Sequence, residues 1–183
     1  ATRHRLLASN NGGSLGGTIQ SDGNTRLNVA DDVADGATVS IGKNLEKFDV
    51  GATLFGDVFV DGSGGKWSFG ATDGAVITTA FGLEQLAVAL GINQTLIQTG
   101  LGRGADGVFA ATAGGRDMGE QVGASTLGKL SAETIRDSVI ASSGDFDQLD
   151  VDLDMTNSSA SSGFSVGSTA IAAVLADPTP LAT

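Results

Sequence analysis

The single imidazole of this 183-residue chain, His4, lies between Arg3 and Arg5. A Ser-His-Asp relay needs a histidine oriented by a carboxylate and facing a hydroxyl, and a lone histidine between two guanidinium groups reads as a surface residue. No catalytic triad is assigned. Gly100-Leu101-Gly102-Arg103-Gly104-Ala105 echoes a glycine-rich phosphate loop, but its sixth position is Ala and no strand-turn-helix pattern surrounds it. Asp150, Asp152 and Asp154 share one side of an alternating segment, with neighbours about 6.5 to 7 Å apart by strand geometry. That separation overlaps the inverting-glycosidase range. One Trp and no Tyr provide little sugar platform, so the row reads as a solvated face.

Calcium is the one cofactor left open, because hard cations take oxygen ligands displayed on turns. The candidates are Asp22 with Asn24, Asp31 and Asp32 with Asp35, Asp61, and Asp145 with Asp147. None matches an EF-hand loop or a nonapeptide calcium repeat. Asx turns in an acidic chain are the preferred explanation, and no cofactor is assigned.

The absence of cysteine removes disulfides, thiolate metal sites and thiol catalysis. Net charge is −11, which opposes nucleic-acid and anionic-membrane partners. No apolar run reaches the 18 residues of a membrane span. The 28 glycines are scattered without a Gly-X-Y period, and Pro178 and Pro180 are the two prolines. Ala1 is the small residue expected after removal of an initiator Met.

Turn signals at Asn10-Asn11-Gly12-Gly13, Gly16-Gly17, Asp22-Gly23 and Asp35-Gly36 separate short strands at 18–20, 26–30 and 38–41. Asp22-Gly23 is expected to close a hairpin. Strands follow at 48–55, 57–60 and 66–71, the last two joined as a hairpin through residues 61–65, with Trp67 and Phe69 on one face. Two helices are expected. Thr79 would cap the first, with Leu83, Leu86, Ala87 and Leu90 at helical spacing and Gly91 ending it. Ser131 would cap the second, with Ile135, Val139 and Ile140 on one side and Ser142 at its end. Residues 100–128 read as loop around a strand at 108–112. Leu149, Val151, Leu153 and Met155 alternate strictly with the acids, which predicts an inward apolar row. Residues 157–163 read as a Ser-rich loop, and 164–175 as an apolar strand or short helix. No fixed-period repeat is apparent.

These elements predict an α+β, β-rich fold: an antiparallel sheet or sandwich with two short helices. Residues 1–17 form a flexible or docking N-terminal arm, 18–176 a single β-rich domain, and 177–183 a C-terminal tail. In layout the chain resembles small virion structural proteins of tailed bacteriophages, of the head-decoration, tail-tube and adaptor types. That resemblance implies a non-catalytic, self-assembling protein located in a virion, whose partners are further copies of itself in a symmetric homo-oligomer and other structural proteins. The assembly contacts expected are Arg3, Arg5, Leu6, Leu7 and Leu15, because an arm so poor in apolar area needs a neighbour to offset its ordering entropy. An extracellular filament or calcium-stabilised adhesive module is the alternative, and a carboxylate-dependent hydrolase the second.

Overall fold

In the computed structural model, residues 3–8, 13–102, 112–113, 116–117, 120–121 and 124–163 are described. Their regular elements are all strands. Long strands are β1 (Arg3–Ala8), β3 (Asn24–Val29), β5 (Leu45–Leu54), β7 (Gly64–Asp73), β9 (Leu83–Asn93), β15 (Leu127–Arg136) and β17 (Phe146–Thr156). Between them come the four-residue strands β2 (Thr18–Ser21), β4 (Thr38–Ile41), β6 (Asp57–Val60), β8 (Val76–Thr79), β10 (Leu96–Thr99), β16 (Val139–Ser142) and β18 (Ser159–Ser162). Four two-residue strands lie between β10 and β15: β11 (Leu101–Gly102), β12 (Thr112–Ala113), β13 (Arg116–Asp117) and β14 (Glu120–Gln121). They pair antiparallel, β11 with β14 and β12 with β13.

Everything else pairs in parallel. The order β1-β3-β5-β7-β9-β15-β17 makes one seven-stranded sheet, and β2-β4-β6-β8-β10-β16-β18 the other. The chain alternates between the two sheets and advances one strand spacing per circuit. The fold is a parallel β-solenoid of about six turns, which replaces the expected antiparallel sheet or sandwich with helices. At about 4.8 Å per strand the described stack is roughly 30 Å long.

A repeat does exist. Leu45, Gly64 and Leu83 are register partners 19 residues apart, as are Leu127 and Phe146. Thr38, Asp57 and Val76 keep the same interval on the short sheet. The interval is hidden because register partners share inward or outward direction rather than identity, and the excursion between β10 and β15 breaks the spacing.

Both expected helices are strands. The first segment is β9 and the second is β15 with β16. In β9 the buried residues are Leu83, Leu86, Val88 and Ile92, while Glu84, Gln85, Ala89 and Leu90 lie outside. Two consecutive outward residues place Leu83 and Leu86 on the same side at a spacing of three, which imitates one turn of helix. Register shifts that mark bulges occur within several long strands, including Thr25/Arg26 and Phe69/Thr72. The Ser-rich segment 157–163 contains β18 rather than being all loop.

Neither expected hairpin forms. β2 and β3 belong to different sheets, and β6 and β7 do as well. Asp22-Gly23 and residues 61–63 do turn the chain, but only around a corner of the coil. The strands expected at 18–20, 26–30, 38–41, 48–55, 57–60 and 66–71 correspond to β2 through β7. Of the strand expected at 108–112 only Thr112 is described, and residues 164–183 lie outside the described residues.

The core runs along the axis. Phe48, Trp67 and Phe69 stack in adjacent coils, with ring centroids 6.0 Å apart for Phe48–Trp67 and 5.1 Å for Phe48–Phe69, both edge to face. Each such pair contributes about 0.5 to 1.5 kcal/mol beyond area burial. On the short sheet Val58, Ile77, Ile97 and Ile140 join this core. Phe59, Val76, Leu96 and Val139 alternate with them on the opposite face and are buried too. Burial on both faces gives these strands the short continuous apolar runs typical of parallel sheets.

Candidate assembly surfaces

The outer face of the long sheet is built by register. Arg26, Lys47, Lys66, Gln85, Lys129 and Gln148 form one column, one residue per coil. In β5, β7, β9, β15 and β17 the residue just before that column is Glu46, Gly65, Glu84, Gly128 and Asp147 in turn. Carboxylates therefore alternate with glycines along the axis. The glycines are required: a Cβ on Gly65 would overlap the carbonyl oxygen of Glu46, and one on Gly128 that of Glu84.

Ion pairs tie the columns together. Arg26 Nε lies 2.9 Å from Glu46, Lys66 Nζ 3.3 Å from Glu84 and Lys129 Nζ 2.8 Å from Asp150, each pair bridging adjacent coils. Lys47 pairs with Asp49 on its own strand, and Arg136 with Asp154 at 4.0 Å. All lie on the solvent-facing surface, so each is worth little alone. Hydrogen bonds from Lys129 and Gln148 hold the Asp150 carboxyl below its usual range. Asp150 and Asp154, two of the three acids in the expected row, are thus engaged in ion pairs.

The calcium candidates do not come together. Asn24 Oδ1 accepts a bond from Asn44 N at 3.4 Å, and Asp32 Oδ1 one from Thr53 N at 2.8 Å. Asp31 Oδ2 accepts from Ser14 Oγ at 3.5 Å. Asp22 and Asp35 lie on turns of the first two coils, Asp61 follows β6, and Asp145 and Asp147 belong to the last coil. Among the described residues no group of three His or acidic side chains gathers that could hold a metal ion.

The expected assembly residues fall at one end. Arg3, Arg5, Leu6 and Leu7 belong to β1, which pairs with β3 over six residues. Leu15 bridges to Val33 and packs against the core. At the other end, β17 pairs with β15 and β18 with β16. Leu149 and Val151 are half-buried on the core, whereas Leu153 is 69% and Met155 41% exposed. The expected inward row of four is therefore interrupted: Leu153 lies at the irregularity between Ala132/Val151 and Thr134/Asp154, where two residues of β17 face one of β15. Of the Gly100–Ala105 fragment, Gly100 follows β10, Leu101 and Gly102 form β11, and the rest lies outside the described residues.

One corner was not anticipated. Gly74, Gln94, Asp137 and Asn157 occupy the same turn in four successive coils with φ of 71°, 47°, 49° and 48°. Gly74 N donates to Asn93 O, Gln94 N to Arg136 O and Asp137 N to Thr156 O, at 3.1, 3.0 and 3.1 Å. Gly, Asn and Asp are the sequence signal for such a corner, and Gln94 hides it.

No family model, no curated protein and no solved structure matches this chain.

Proposed function

We propose that this chain is a non-catalytic structural and assembly protein, a short β-solenoid rod that associates with further copies of itself and with other structural proteins. The observation that carries this reading is the state of the two ends. Each seven-stranded sheet finishes, among the described residues, in strands paired on one side: β1 and β2 at one end, β17 and β18 at the other. Unpaired parallel edges are templates for further strands, and coils added to such edges extend a solenoid along its axis. The ion-paired outer face and net charge of −11 favour protein neighbours over phosphate.

A virion component is the first setting proposed; the two helices of the layout that suggested it are strands, so it rests on self-assembly alone. An extracellular filament is the second, favoured by the lengthwise continuity of the sheets. The reading requires no metal. Native mass measurement with electron microscopy of the purified chain tests it. Concentration-dependent rods, tubes or shells are expected, and a monomer across the accessible concentration range would overturn it.

A further inference from the structure

We infer that the edge formed by β17 and β18, the last strands among the described residues, receives β1 and β2 of a second copy of this chain, head to tail and in register. This rests on the assembly reading above and names its partner and contacts. The register columns specify what meets what. The column of Leu6 runs through Leu27, Phe48, Trp67, Leu86 and Leu130 to Leu149. That of Ala8 runs through Val29, Val50, Phe69, Val88 and Ala132 to Val151, and that of Arg5 through Arg26 and Lys129 to Gln148. Adding β1 of a second copy after β17 by one more strand spacing places Leu6 beside Leu149 and Ala8 beside Val151. The short sheet continues alike, with Ile19 of β2 reaching the column of Ala160 in β18.

Charge matches the same register. Arg3 comes opposite Asp145, and Arg5 opposite Gln148, between Asp147 and Asp150. Asp145, Asp147 and Asp152 have no cationic partner among the described residues, whereas Arg26, Lys47, Lys66, Lys129 and Arg136 each have a carboxylate. Two of these acids, Asp145 and Asp147, would meet the first strand, which carries Arg3, His4 and Arg5. β1 also lacks the extra residue that Gly65 and Gly128 fill elsewhere, so no Cβ would stand over Asp147. A head-to-tail contact of unlike surfaces does not close on itself and gives a polar filament.

The test uses the full chain and two charge-reversed variants, Arg3→Glu/Arg5→Glu and Asp145→Lys/Asp147→Lys, each checked for wild-type strand content by circular dichroism. Every altered residue is at an end of the stack, so both variants should fold. Sedimentation should show that either variant alone needs about tenfold or more higher concentration to assemble, because like charges then meet at the junction. An equimolar mixture should regain wild-type assembly, since the acidic first strand of one variant fits the basic last strand of the other. Variants that assemble like wild type, or a mixture that does not recover, would overturn the head-to-tail contact and leave the structural reading standing. A wild-type chain that stays monomeric overturns both. Assembly that appears only after removal of residues 164–183 would assign the C-terminal end to that segment, against this proposal.

Discussion

The indole Nε1 of Trp67 donates a 2.9 Å hydrogen bond to the carbonyl oxygen of Leu45, one coil earlier. Leu45 immediately precedes Glu46, the extra residue that β5 carries relative to β3, and the indole satisfies a buried acceptor at that irregularity. Trp67 is itself fully buried between Phe48 and Phe69. Trp67→Phe keeps most of the apolar area but strands the carbonyl, at a cost of about 1 to 3 kcal/mol. Trp67→Ala should cost about 3 to 5 kcal/mol. Urea denaturation followed by circular dichroism measures both, and a Trp67→Phe variant as stable as wild type would show that the hydrogen bond contributes nothing.

Gln94 holds a left-handed conformation at a corner where Gly74 stands one coil away. A non-glycine residue there is disfavoured by about 1 to 2 kcal/mol. Gln94→Gly should therefore raise stability by about 1 kcal/mol, somewhat offset by the entropy glycine adds to the unfolded chain. Gly74→Ala should lower stability by a similar amount. Thermal melts of the two variants should move in opposite directions.

Leu149 and Leu153 are both apolar residues of β17, but only Leu149 packs on the core. Leu149→Ser should destabilise the fold by about 1 to 3 kcal/mol, and Leu153→Ser should fall within about 0.5 kcal/mol of wild type. Comparable losses at both positions would mean that the strand keeps strict alternation with no irregularity at residues 152 and 153.

The carboxyl of Asp150 is held below its usual range by the hydrogen bond from Lys129, then by that from Gln148. A lowered folded-state value means that the contribution is fully present above the unfolded-state value and is lost as pH falls through the folded-state one. Lys129→Met should move the Asp150 titration upward and flatten the acid limb of stability in that window. Carboxyl-carbon NMR across acid pH reads the shift directly, and an unchanged titration would show that Lys129 does not stabilise the carboxylate.

By itself the sequence determined the chemistry classes and much of the strand content. One histidine, no cysteine and a charge of −11 do not depend on folding, and the short runs rich in β-branched and aromatic residues at 38–41 and 57–60 located β4 and β6 because such side chains favour extended backbone. Turn residues marked where the chain changes direction. Which strands pair was not legible, since a hairpin and a solenoid corner use the same Gly and Asp residues and differ only in whether the next strand returns antiparallel or moves on to a second sheet. Tertiary structure also decided that Leu83 and Leu86 belong to a strand: their spacing of three fits a helix or an irregular strand, and packing beneath Trp67 and Leu130 selects the latter. The columns that build the outer face and both ends join residues 19 or more positions apart, so their chemistry exists only once parallel coils are stacked.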